Sequence, residues 1–260
     1  MPLELAFDVI GEGPPVVILH GMFGSGTNWR TIAQRLSGSA RVYCVDLRNH
    51  GRSPWSESMD YLEMAADVEA LIEAEQLVRP ALMGHSMGGK VAMALALTTP
   101  AVIGRLVVVD IAPVSYVDRM SSYVDAMRGI DVVHAASRTE IRKALSASVQ
   151  DTGIVGFLMQ NLVERHQHFD WRVNLLAIAA AMPTLCSFPA ALQERRFDGI
   201  AEAIAGADSN YVDPDGAQFQ PMFPAIRLQM IPEAGHWVHA DRPDAFLTAA
   251  RLALGLETSP

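Results

Sequence analysis

Two cysteines in 260 residues, Cys44 and Cys186, leave no material for a disulfide framework. Each sits in an otherwise apolar stretch, as a buried free thiol in a reducing compartment would. Basic residues are in deficit: 20 Lys and Arg face 29 Asp and Glu, a formal charge of −9, with no basic block. That argues against a polyanion such as nucleic acid as partner. Aromatics are only 7% of the chain and are not interleaved with Lys or Arg, so no platform for stacking single strands is expected. The longest apolar run, LLAIAAAMP from Leu175, falls far short of the roughly 20 residues a membrane helix needs. The opening MPLELAFDVIGEG carries acidic residues where a signal peptide would be basic. These absences lead us to expect a soluble, cytoplasmic protein with a small-molecule partner and no nucleic-acid or membrane partner.

Half the residues are hydrophobic, enough for one sizeable core plus an insertion. Strand-like and helix-like patterns alternate from the start. LELAFDVI alternates apolar and polar, and PPVVILHG is a short continuous apolar run of the kind buried on both faces. NWRTIAQRL has helical spacing, with Asn28 in position to cap it. ARVYCVDL, RPALMGHS and GRLVVVDIAP read as further strands, with YLEMAADVEALIEAEQL and MGGKVAMALALTTP as the helices between them. Parallel strands need helical crossovers, so this order predicts an α/β fold with a doubly wound, mostly parallel sheet. From about Val114 to Ala190 only amphipathic helical patterns occur; strand patterns return with IAEAIAG and AIRLQMIP, and RPDAFLTAARLALGL closes the chain as a helix. Residues 1–113 and 191–260 are therefore expected to form the core, and residues 114–190 a helical cap inserted between core strands.

Gly84-His85-Ser86-Met87-Gly88 matches G-x-S-x-G, between a strand pattern and a helix pattern. A serine raised on so sharp a turn clashes with any bulky flanking residue, hence the glycines, and the following helix offers free N–H groups to a developing oxyanion. A serine hydroxyl is a poor nucleophile at neutral pH and needs a base. His236, in PEAGHW after the last strand pattern, stands where that base comes in the chain order; His239 is its nearest rival, expected to open the final helical region and face elsewhere. The His20-Gly21-Met22 turn would aim the Met22 backbone N–H at the acyl carbon, with the Met87 N–H as second donor. Phe23 and Trp237, beside these groups, are candidate walls of an acyl pocket. Asp46, Arg48, Asn49 and His50 form a polar cluster read as bracing, with a carboxylate–guanidinium pair fixing the turn.

The segments HGMFGSGTNW, DLRNHGRSPW, GHSMGGKVAM, VVVDIAPVSY and AGHWVHADRP together resemble the α/β-hydrolase superfamily, and within it the small YbfF-type acyl esterases. The resemblance spans nearly the whole chain and is weakest in residues 114–190. It implies a serine esterase or thioesterase acting on acyl groups, without cofactor or metal. Many members carry the triad acid three residues past a glycine after the strand that follows the cap. Here that position is Ser209, which has no charge, with Asp208 adjacent. Asp110, at the end of the Leu106–Val109 run, is placed at the strand edge where catalytic groups gather, and the resembling subgroup has its acid in this segment. Asp110 is thus expected as the acid, with Asp208 as the alternative.

Two other signals carry less. GMFGSG has phosphate-loop glycine spacing, but Thr27 and Asn28 replace the Lys and Ser/Thr that would hold phosphate. HQHFD, from His166, has the look of a metal site but follows a helical pattern and lacks a further histidine, so no metal is expected. The expected activity is hydrolysis of short to medium acyl esters or thioesters through an acyl-Ser86 intermediate. The alternatives are another chemistry on the same fold, C–C bond hydrolysis or acyl transfer, and a non-catalytic ligand-binding member.

Overall fold

The computed structural model describes residues 1–166 and 168–256. In chain order its strands are β1 (Phe7–Ile10), β2 (Pro15–Leu19), β3 (Arg41–Val45), β4 (Ala81–His85), β5 (Arg105–Val109), β6 (Leu162–Arg165), β7 (His168–Trp171), β8 (Ala201–Gly206) and β9 (Arg227–Ile231). The helices are α1 (Arg30–Leu36), α2 (Tyr61–Ala74), α3 (Met87–Thr98), α4 (Ser121–Arg128), α5 (Arg138–Ser148), α6 (Thr152–Leu158), α7 (Leu175–Cys186), α8 (Val238–Asp241) and α9 (Pro243–Ala253). Seven strands form one sheet in the order β1-β3-β2-β4-β5-β8-β9. Only β1 runs antiparallel; the other pairings are parallel, with Gly84 beside Val108 and His85 beside Val109.

Alternation along each strand divides the core between the two faces of the sheet. Val17, Leu19, Tyr43 and Val45 pack with α2 and α3, whereas Val16, Ile18, Val42 and Cys44 pack with α1 and α9. The thiols are free, Cys44 buried and Cys186 partly so. Helix α3 is buried on nearly every side from Met87 to Leu97, which accounts for its small residues. Among the described residues no helix is long and apolar enough to cross a membrane.

Between β5 and β8 the chain forms α4–α7, and its apolar side joins the α2–α3 core through Val124, Met127, Leu158 and Ile178. The expectation of helices alone needs correction here. Leu162–Arg165 and His168–Trp171 pair as an antiparallel hairpin, Leu162 opposite Trp171. Strands of four residues are too short to show period-two alternation beside the helical patterns flanking them. Helix α7 accordingly starts only after this hairpin, at Leu175, capped by the Asn174 side chain. Asn28 is not a helix cap either. It lies inside the 3-10 turn Gly26–Trp29, its Oδ1 accepting the Ser25 N–H at 2.7 Å and its Nδ2 donating to Gln160 at 2.7 Å.

Candidate active site

Ser86 joins β4 to α3 with φ 52° and ψ −119°, a backbone conformation costing about 1–3 kcal/mol that persists only where its surroundings enforce it. Its N–H donates to the Val109 carbonyl at 3.0 Å, and its carbonyl accepts the Gly89 and Lys90 N–H groups at 2.9 and 3.1 Å. A Cβ on Gly88 would lie 2.6 Å from the Leu19 and His20 carbonyl oxygens, and one on Gly84 would overlap the Gly88 carbonyl. The turn therefore closes only with glycine at both places.

His236 follows β9 and meets both partners. Its Nε2 is 3.0 Å from the Ser86 Oγ, and its Nδ1 is 2.7 Å from Asp110 Oδ2. A carboxylate only accepts, so Nδ1 holds the proton and Nε2 is free to accept the serine hydroxyl. Asp110 directly follows β5, at φ 49°, and is 1% exposed. Burying a carboxylate requires donors. Asp110 has the Gly206 N–H at 2.9 Å and the Ser209 hydroxyl at 2.5 Å besides His236. Asp208 is exposed, its N–H bonded to the Ala234 carbonyl. The uncharged Ser209 thus donates to the carboxylate that reaches His236.

Two residues beside His236 had no sequence signal of their own. His85 Nε2–H donates to the His236 carbonyl at 2.9 Å, and Tyr211 stacks on the His236 ring at 4.1 Å. Burial, reinforced by the neighbouring histidines, pushes the His85 imidazole well below its ordinary range and keeps it neutral. His239 sits in α8, stacked on Trp29 at 4.2 Å, and burial pushes it down to about 4.

Opposite Ser86, the turn after β2 is closed by the Gly24 N–H on the Gly21 carbonyl at 2.9 Å. Met22 and Met87 both line the cavity around Ser86 and His236, and Met87, the first residue of α3, has no intrahelical acceptor for its N–H. Phe23 is held at φ 60° from both sides: its N–H donates to His50 Nε2 at 3.2 Å, and its carbonyl accepts Asn161 Nδ2 at 2.8 Å. His20 accepts the Leu47 N–H on Nε2 at 3.0 Å and donates from Nδ1 to the Gly21 carbonyl at 2.8 Å. His50 donates from Nδ1 to the Arg48 carbonyl at 2.9 Å. Both rings are neutral in these roles. Burial, then the neighbouring His20, pushes His50 down to about 3.

The pairing expected in the polar cluster is redistributed. Arg48 forms a two-pronged pair with Asp67 at 2.7 and 2.9 Å, while Asp46 accepts the Gly26 and Arg52 N–H groups at 2.7 and 2.9 Å. Three carboxylates serve where the sequence suggested one, because α2 brings both Asp67 and Glu63 to Arg48, Glu63 at 2.9 Å.

The cavity over Ser86 has a volume of about 280 Å³, near the lower end of small-molecule sites. Phe23 and Trp237 are on its lining, and Phe157 of α6, with no sequence signal, packs edge-on to Trp237 at 6.0 Å. Within HQHFD, Gln167 lies outside the described residues; His168, Phe169 and Asp170 are in β7. Among the described residues no group of three or more His, Cys, Asp or Glu could hold a metal.

A strand–serine–helix turn facing a histidine and a carboxylate on a mostly parallel sheet defines a class, and comparison with known proteins agrees. The alpha/beta hydrolase family model matches residues 16–249, and the chain belongs to that family. Within the family it resembles the YbfF-type esterases: it is 34% identical to the Escherichia coli K12 esterase YbfF, over 91% of each chain. It is 39% identical to the mouse sn-1-specific diacylglycerol lipase ABHD11, over 95% of this chain and 84% of that protein. A solved marine microorganism esterase superposes with a TM-score of 0.93 at 33% identity, covering 96% of this chain and 99% of that one.

Proposed function

We propose that this protein is a carboxylic ester hydrolase that works through an acyl-Ser86 intermediate. The hydrogen-bonded chain from the Ser86 Oγ through His236 to Asp110 carries the reading, with contacts of 3.0 and 2.7 Å. His236 Nε2 takes the hydroxyl proton as Oγ attacks the carbonyl carbon, and Asp110 stabilises the imidazolium. The Met22 and Met87 N–H groups receive the oxyanion. Collapse breaks the bond to the alcohol or thiol, which leaves with the proton from His236. Water, deprotonated by the same nitrogen, then attacks the acyl-enzyme, and the acid departs as Ser86 recovers its proton.

Residues 114–190 act as a cap over a core made of residues 1–113 and 191–260, since α6 and the start of the intervening segment supply part of the cavity lining. The small volume and lining such as Phe23, Met120, Ile154 and Leu158 support short to medium acyl chains over emulsified lipid. Acyl transfer to an alcohol is the second reading, supported by a 32% identical yeast relative named probable alcohol acetyltransferase. A panel of acyl esters and thioesters tests the first. Activity should climb with each added methylene, worth about 0.8 kcal/mol when buried, and fall once the cavity is full. A fluorophosphonate should label Ser86. Steadily rising rates through long-chain emulsions, or ethyl esters as the main product in ethanol–water, would redirect the assignment.

A further inference from the structure

Lys90 has no role in the chemistry above. It lies four residues beyond Ser86, in the first turn of α3, and both residues line the same cavity. It is 1% exposed, it lines the cavity, and among the described residues it forms no ion pair with a carboxylate. Its Nζ donates to the Ser187 carbonyl at 2.6 Å and, more weakly, to the Cys186 carbonyl at 3.4 Å. The Tyr116 and Tyr61 rings lie 4.9 and 5.5 Å from it. These contacts orient the ammonium without neutralising it, and an ammonium has three N–H bonds to give. Burial pushes Lys90 down to about 8, as expected of a cation that has lost water without gaining an anion.

The sign of the surroundings is as informative. The chain carries nine more acidic than basic charges, yet the described residues lining this cavity include two cations, Lys90 and the exposed Arg119, and no carboxylate. A buried, uncompensated cation is costly and is stabilised by whatever anion enters beside it. We propose that Lys90 is a subsite for a carboxylate at the far end of the acyl chain, so that half-esters of short dicarboxylic acids are the preferred substrates. The inference rests on Ser86 as acyl acceptor. It concerns the acyl side because that part stays bound through the covalent intermediate, whereas the leaving group must escape to solvent and Lys90 is closed to it. The distal carboxylate takes no part in bond making; it binds as an anion and leaves with the acid.

The test compares monoethyl esters of four- to six-carbon dicarboxylic acids with ethyl esters whose chains end in an uncharged isopropyl group of the same shape, followed by pH-stat. The wild-type kcat/KM ratio should favour the best half-ester by about tenfold or more, the scale of a charge-assisted hydrogen bond in a dry site. Lys90→Met should collapse that ratio mainly through KM, and Lys90→Arg should keep most of it. Loss of stability in Lys90→Met with an unchanged ratio would mean that Lys90 only ties down the end of α7, and would overturn the proposal. Should Lys90→Met fail to fold, wild-type protein still decides: glutarate must inhibit hydrolysis of a neutral ester better than 5-methylhexanoate does, and equal inhibition sinks the idea. Failure to hydrolyse either ester series would refute the ester-hydrolase reading; turnover of the neutral series without preference refutes only the Lys90 subsite.

Discussion

The turn after β4 and the turn after β2 each carry a residue at positive φ, Ser86 at 52° and Phe23 at 60°, and they face each other across one cavity. The Ser86 turn is marked by local pattern. The end of a strand, the start of a helix and glycines two residues to either side leave it little choice. The Phe23 turn is enforced from afar, by His50 from the loop after β3 and by Asn161 from the segment between β5 and β8. The pattern of one half thus falls within the five residues Gly84–Gly88, although β2 and β5 also press on it, whereas the other half is assembled from partners 27 and 138 positions away. Removing the Ser86 hydroxyl should act on chemistry alone, while changes to the supports of the second turn should act on chemistry and stability together.

The sharpest break is Ser86→Ala, which removes the proposed nucleophile and leaves the turn intact. Ester turnover should fall by roughly 10⁵-fold or more, with an unchanged denaturation midpoint. Substantial activity in the folded variant would end the assignment of Ser86. Next comes Asp110→Asn, which keeps size but can trap His236 in the wrong tautomer; a loss of about 10⁴ in kcat with little change in KM is expected. Asp208→Asn should stay within a few-fold of wild type, and the reverse ranking would move the acid to the loop after β8.

Asn161→Ala leaves the buried Phe23 carbonyl without its donor and should cost about 1–3 kcal/mol of stability. It should also cut kcat by roughly tenfold if the Met22 N–H serves the oxyanion, since loss of a whole donor costs 10²–10³. Equal kcat in Asn161→Ala and wild type would show that the second turn needs no support from that segment. The smallest effect is in pH. His50 and His239 are held neutral, at about 3 and about 4, below the 6.5 of an unfolded chain. Below pH 6.5 the unfolded state therefore binds more protons, and stability must fall as pH drops through the interval from 6.5 towards those values. His50→Gln removes one such group, so between pH 6.5 and 4 its stability should decline less steeply than wild type, by about 1.4 kcal/mol per pH unit. Parallel slopes in urea titrations would show that His50 is already protonated in the folded protein.

The parallel sheet was readable because buried strands and amphipathic crossovers repeat at lengths that periodicity resolves. The β6–β7 hairpin was not, since four residues per strand give no period to read. His236 was legible from its place after the last strand. Strand-edge placement and family resemblance favour Asp110 over Asp208, and only the fold shows why Ser209 suits that arrangement: its hydroxyl donates to the Asp110 carboxylate. Asn161, Tyr211 and Phe157 carried no signal, because what matters in each is a contact with a residue far away in the chain.

By itself the sequence determined the alternation of strand and helix, the glycine-bounded turn at Ser86 and the apolar runs that bury the sheet. All of these follow from sterics and hydrophobic spacing within a few residues. Only the tertiary structure decided which carboxylate meets His236, how Phe23 is pinned, which acid pairs with Arg48, and that Lys90 faces the cavity without a counter-ion. Those outcomes depend on long-range juxtaposition, where a hydrogen bond is gained or lost over less than an ångström and no local pattern encodes the distance.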